Sequence, residues 1–135
     1  MDKSRIRNLT RTLVLATTAL LAIAAIALAA TPKNGTYGGK DLSLAVKGGK
    51  ITEVTGGLGF KCNAIPIDSK KKIAVKKGKF HFSGKVKNVL QKPEGKLTLT
   101  GSFKTADKAV GTYKFVKGAC TVKKKFTATF GASAG

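Results

Sequence analysis

One histidine, two cysteines and six carboxylates are the whole stock of catalytic and metal-ligating side chains in this 135-residue chain, set against 26 lysines and arginines. Nucleophilic catalysis needs a base beside a Ser, Thr or Cys. His81 stands between Phe80 and Phe82, so strand alternation turns its ring away from the apolar side and toward solvent, and no carboxylate adjoins it in sequence to orient it. Beyond residue 30 the carboxylates are Asp41, Glu53, Asp68, Glu94 and Asp107, scattered singly and mostly in turns next to lysine. Turn formation and local charge balance account for them there, whereas glycoside hydrolysis needs two that face one another. The same scarcity argues against a calcium loop or a standard zinc set. Glycine pairs such as Gly38-Gly39 read as hairpin turns, because no helix follows to complete a phosphate cradle. The expectation is a non-enzymatic chain with no catalytic residues, no metal and no cofactor.

Lysine is the residue type present in excess. Leaving out the four basic residues and one acidic residue of the first 29 positions, the remainder holds 22 lysines and five carboxylates, with no arginine and no tryptophan. A net charge near +17 sets up a long-range positive potential and implies anionic surroundings. Planar bidentate recognition of phosphate or base edges belongs to arginine, while lysine acts as a hydrated point charge. Attraction to an anionic polymer or envelope surface without fine specificity follows, and sequence-specific nucleic-acid binding does not. The dense runs are Lys70, Lys71 and Lys72; Lys76, Lys77 and Lys79; and Lys123, Lys124 and Lys125, and these are the candidate contacts for such a polymer. The competing reading is that the lysines keep a small β-protein soluble and block edge pairing, in which case a partner would dock on an apolar patch or an open sheet edge. Tyr37 and Tyr113 are the only aromatics outside the phenylalanine set that could stack on a base or sugar. The phase of Tyr113 with Phe115 assigns it to the core with a tethered hydroxyl.

The amino terminus says where the chain works. Lys3, Arg5, Arg7 and Arg11 precede an uncharged stretch from Leu13 to Ala30, the n-region and h-region of a secretory signal, with Ala27-Leu28-Ala29 supplying small residues for cleavage after Ala29 or Ala30. An uncleaved membrane anchor is the alternative, since about 18 uncharged residues reach the lower limit for a spanning helix. The organisation expected is a signal peptide over 1–29 and one secreted or envelope domain over 30–135. Cys62 and Cys120 suit that setting: an even pair in an oxidising compartment reads as one disulfide, and closing its loop contributes on the order of 4 kcal/mol. A metal or redox pair would need a C-x-x-C partner or a nearby His that the sequence lacks.

The elements that carry these residues are strands. After residue 31 apolar and polar residues alternate with glycine every eight to twelve positions, the pattern of an all-β antiparallel sandwich or small barrel of seven or eight strands. Leu42, Leu44 and Val46 share one face. Gly48-Gly49 turns the chain into Ile51–Thr55, where Ile51 falls out of phase with Val54, predicting a bulge near Thr52 or the glycine pair. Leu58, Phe60 and Cys62 continue the phase of Val54. Asn63–Lys72 reads as the longest loop, with Ile65 and Ile67 tucked inward. Ile73 and Val75, the Lys76–Lys79 turn, then Phe80 and Phe82 form the clearest hairpin. Lys92–Gly95, Thr105–Lys108 and Lys117-Gly118 mark later turns. The phenylalanines, including Phe60 and Phe130, fall mostly in the inward phase. Lys123–Lys125 cross both faces of the last strand, which suggests a bend, an edge or a solvated end.

The motifs Gly35-Thr36-Tyr37-x-Gly39, Gly48-Gly49-Lys50-Ile51, Gly78-Lys79-Phe80, Gly101-x-Phe103, Ala109-x-Gly111-Thr112-Tyr113 and Gly118-x-Cys120 resemble small secreted bacterial β-sandwich or β-barrel proteins common in actinobacteria. The resemblance spans about residues 35 to 130. It rests on turn glycines, core aromatics and two cysteines, so it implies a fold and carries over no catalytic or ligand residue.

Overall fold

The structure, a computed structural model, describes residues 30–132; the signal-peptide assignment for 1–29 lies outside the described residues. Nine strands follow one another: β1 (Gly35–Gly39), β2 (Ser43–Lys47), β3 (Lys50–Gly56), β4 (Ile67–Ser69), β5 (Ile73–Ala74), β6 (Lys79–Lys87), β7 (Pro93–Thr105), β8 (Lys108–Lys117) and β9 (Cys120–Phe130), with an irregular 3₁₀ segment, Leu58–Asn63, between β3 and β4. All pairings between strands are antiparallel, in the order β4-β3-β2-β1-β9-β8-β7-β6, and β5 prolongs the β4 edge along β3. A single bridge between Ile67 and Asn88 brings the two ends of this order together. The all-β expectation holds, and of its two architectures the nearly closed barrel is the one formed.

Alternation builds the interior. Leu44, Val46, Ile51, Val54, Leu97, Leu99, Tyr113 and Phe115 are almost wholly shielded from solvent. The bulge falls where the phase break predicts it: Ala45 pairs Glu53 and Val46 pairs Ile51, leaving Thr52 as the extra residue, with its hydroxyl on the Ala45 carbonyl at 3.3 Å. Close curvature is possible at the directly opposed pair Gly101 and Gly111. A Cβ on Gly111 would stand 2.1 Å from the Thr100 carbonyl oxygen, and one on Gly101 2.5 Å from the Phe80 ring.

Several expectations are corrected. Leu58–Cys62 is no strand: Leu58, Phe60, Cys62 and Asn63 all have φ between 50° and 60°. Gly56 turns the chain against the β1–β2 connection, where the Leu58 amide donates to the Asp41 carbonyl at 3.0 Å. Leu58 is thereby buried, while Phe60 is thrown outward with 76% of its surface exposed. Ile67 is buried but Ile65 is exposed, because the Ile65 amide is held by the Glu94 carboxylate with its side chain on the outside. The expected loop Asn63–Lys72 contains β4. Phe130 is also exposed, at the end of β9 beside the 105–108 turn. Tyr37 is fully buried and unable to stack on a ligand; its hydroxyl lies 2.9 Å from the Lys33 carbonyl and 2.7 Å from that of Ala106. Glu94 stands in β7 and is buried, not in a solvated turn.

The two ends of the barrel differ. One gathers residues 30–34 with the turns at 47–50, 75–79 and 105–108, cross-linked by hydrogen bonds from Gly48 N–H to Asn34 Oδ1, Val75 N–H to Gly49 O, Phe103 N–H to Gly78 O and Lys33 N–H to Ala106 O. The other carries the Leu58–Asn63 segment, the turns at 88–92 and 117–120, and the Cys62–Cys120 disulfide.

Candidate functional site

The site grows from a hairpin that fails to zip. Ile73 and Ala74 pair with β3, not with β6 (Ile51 with Ile73, Lys50 with Ala74), so the expected hairpin survives only at its turn, as the Lys76–Lys79 bridge. The open edge of β3 captures β5, and the bulging tripeptide Lys70–Lys72 separates β5 from β4. The segment 67–76 therefore runs antiparallel to 79–88, pinned at one end by Ile67–Asn88 and at the other by Lys76–Lys79. Among the described residues no ladder pair joins them in between. The result is a seam.

Two cavities occupy this seam. One, of about 480 Å³, is lined by Asp68, Ser69, Lys70 and Lys71 from one bank and by Lys85, Val86, Lys87, Gln91 and Pro93 from the other. The second, about 490 Å³ and more open, lies toward the turn and includes Lys72, Lys76, Lys79, His81, Phe82 and Thr100. Alternation along β6 explains the bank: Phe80 and Val86 point into the core, so Lys79, His81, Ser83, Lys85 and Lys87 point out. Asp68 is the one carboxylate lining either cavity, and its Oδ1 is shielded from solvent with no hydrogen-bond partner among the described residues.

Asp68 offsets the positive charge here only in part, and it is ion-paired with none of these lysines. Among the described residues only Lys33 and Lys117 have an ion-pair partner within 4 Å, Asp107 and Glu94 respectively. The seam lysines are exposed and free to meet an anion. Like charges on facing banks repel, and an anionic chain laid between them would relieve that repulsion.

The lysine runs named from the sequence part company. Lys70, Lys71, Lys72, Lys76 and Lys79 line the seam cavities, and Lys77 sits on the turn that closes them. Lys123, Lys124 and Lys125 lie on β9, three strands away from β6 and so about 14 Å across the sheet. They are exposed and pair with β8 only, because β1 pairs β9 from Ala128 onward, which realises the edge position. Lys85 and Lys87 belong to no lysine run, although their spacing with His81 and Ser83 puts them on the outward face of one strand. What the sequence could not supply is the strand that faces them.

His81 points outward as expected, with Nδ1 2.9 Å from Thr100 Oγ1, and no carboxylate lines its cavity. Among the described residues no group of three His, Cys, Asp or Glu side chains is placed to hold a metal ion. Tyr113 is buried with its hydroxyl 3.4 Å from Asp41 Oδ2. Burial, reinforced by the Asp41 charge, pushes its phenol up to about 12.

The far end of the seam is braced by a buried polar cluster. Asn88 Nδ2 donates to Glu94 Oε2 at 2.7 Å, while Asn88 Oδ1 accepts from the Leu90 and Lys92 amides. Glu94 Oε1 accepts from Lys117 Nζ and from the Ile65 amide. The Lys117 and Asn88 hydrogen bonds hold its carboxyl below the usual range against the opposing effect of burial. Around this brace Ile65, Val89 and Leu90 are exposed, on the same end as Phe60.

Comparison with protein-family models, with curated proteins and with solved structures finds no match.

Proposed function

We propose that this is an exported, non-enzymatic β-barrel domain that associates electrostatically with anionic envelope or extracellular polymers, and that the seam between segments 67–76 and 79–88 is where the polymer lies. The observation that carries this reading is the cavity flanked by Lys70 and Lys71 on one bank and Lys85 and Lys87 on the other. A flexible polyanion fits such a trough through its repeating charge, without the arginine forks that base or phosphate geometry would demand. Export is supported by the basic and then apolar amino-terminal sequence and agrees with the disulfide. Titrating the protein with long-chain inorganic polyphosphate across a salt series tests the reading: the logarithm of affinity falls linearly and steeply with that of salt concentration. Retention that ignores salt up to near-molar concentration overturns it.

A second reading has its own observation. Phe60, Ile65, Val89 and Leu90 are exposed apolar side chains on the disulfide end, and a protein-binding module with lysines for solubility alone would use them. Capture of one defined protein partner that persists in high salt and is lost on Val89→Ser with Leu90→Ser favours that reading.

A further inference from the structure

We infer that the end of the barrel opposite the disulfide is a docking surface for an anionic lipid bilayer. Three turns on this end are rich in lysine: Lys47 and Lys50 flank the first, Lys76, Lys77 and Lys79 the second, and Lys104 and Lys108 the third, all of them exposed. The only carboxylate among these turns is Asp107, and it is already paired with Lys33 at 2.7 Å. At the disulfide end Lys40, Lys61, Lys87, Lys92, Lys117 and Lys124, whose Nζ reaches toward Gly59, stand against Asp41 and Glu94, an excess of four, while the opposite end, with Lys33 and Asp107 included, has an excess of seven. Hydrogen bonds tie the first turn to the second and to Asn34, the second to Phe103 of β7, and the third to Lys33, so the backbone that carries these lysines forms one platform. A bilayer surface attracts such a platform, each lysine near it adding to the affinity within a Debye length.

A bilayer is favoured over a soluble polyanion by the position of Ala30. The Ala30 carbonyl oxygen would lie 3.1 Å from a Cβ at Gly78, so residue 30 rests on the middle turn of the basic platform. The uncharged stretch Leu13–Ala30 is therefore joined to the barrel at its most cationic end. If that stretch stays in a membrane, the platform faces the headgroups. If it is cleaved after Ala29 or Ala30, the new α-ammonium adds to the same surface. Phe130, exposed beside Lys33 Nζ at 5.5 Å from its ring centroid, supplies an apolar edge at the same end. The platform shares Lys76 and Lys79 with the turn end of the seam and is otherwise a separate surface, so it leaves most of the seam uncovered.

The test is amine acylation of the full chain reconstituted in vesicles, with each lysine followed by mass spectrometry. In vesicles of phosphatidylglycerol with phosphatidylcholine, Lys47, Lys77, Lys104 and Lys108 react about fivefold more slowly than in phosphatidylcholine alone, while Lys40, Lys61 and Lys92 are unchanged. Near-molar salt removes the difference. Replacing Lys77→Glu, Lys104→Glu and Lys108→Glu together abolishes the protection of Lys47. Equal protection of both ends, no protection at either, or protection confined to Lys61 and Lys92 beside the exposed Phe60 and Leu90, overturns the inference. Since the readout is which end is shielded, a failure of polyphosphate binding at the seam leaves it standing, and the converse also holds.

Discussion

Ile67 and Asn88 form a lone antiparallel bridge that joins the first and last strands of the barrel order, and beneath it the Asn88 side chain is anchored on Glu94. The seam is thus held open between a hydrophobic and hydrogen-bonded pin at one end and a tight turn at the other. Its width depends on whether the pin holds.

Acid should release that pin. The carboxyl of Glu94 is lowered by Lys117 and Asn88 in the fold, so the stability it contributes is present above its ordinary value near 4.5 and is lost as pH falls through the lowered folded value. Glu94→Gln is expected to cost about 1 to 3 kcal/mol at neutral pH, because Lys117 loses its partner and the buried amide network is mismatched. Denaturant unfolding from pH 7 to pH 2 checks this. The gap between native and variant proteins narrows below about pH 4, and a gap independent of pH would contradict the assignment.

Tyr113 behaves in the opposite sense. With its phenol pushed up to about 12, the folded state keeps the proton that the unfolded chain gives up near 10, so stability is full below pH 10 and declines as pH rises toward 12. Ultraviolet titration is expected to show both tyrosines ionising above the ordinary range, since burial also raises Tyr37, with Asp41→Asn moving Tyr113 down without normalising it, because burial is the larger cause.

Gly111→Ala is expected to destabilise the barrel by about 3 kcal/mol. Its new methyl meets the Thr100 carbonyl and the Gly101 Cα, both backbone atoms that cannot swing aside. Gly48→Ala, where a Cβ meets nothing within 4 Å but φ is +61°, is expected to cost about 1 kcal/mol. Equilibrium unfolding in urea ranks the two, and the reverse order would contradict the packing account.

Removing the disulfide with Cys62→Ser and Cys120→Ser should lower stability by about 4 kcal/mol. The Leu58–Asn63 segment should respond first, because four non-glycine residues there hold left-handed backbone angles that the crosslink to β9 helps to maintain. Hydrogen exchange is expected to rise over residues 57–66 before it rises in β7 or β8.

These features differ in how far local sequence specifies them. Turns at 48–49, 76–79, 105–108 and 117–118, the bulge at Thr52, the core position of Tyr113 and the outward His81 all depend on neighbours within a few residues, and period-two alternation with glycine encodes them. The capture of β5 by β3 instead of β6 depends on which open edge is nearer in space, which alternation does not encode. The exposure of Phe60 and Ile65 has the same origin: both sit on backbone turned by long-range partners, Asp41 and Glu94, so their phase misleads. Tyr37 is read as available for stacking only until the carbonyls of Lys33 and Ala106 are brought to its hydroxyl. For the seam, the lysine runs at 70–72 and 76–79 were legible, while Lys85 and Lys87 became partners to them only through the fold.

The central claim is that the seam, and not net charge alone, holds the polymer, and two variants with the same change in charge separate these. Lys71→Glu, Lys85→Glu and Lys87→Glu alter the seam; Lys123→Glu, Lys124→Glu and Lys125→Glu alter β9. In polyphosphate binding at low salt the seam variant is predicted to lose roughly 100-fold in affinity and to show a shallower salt slope, against less than about fivefold for the β9 variant. Equal losses, or a larger loss from the β9 variant, would contradict the account.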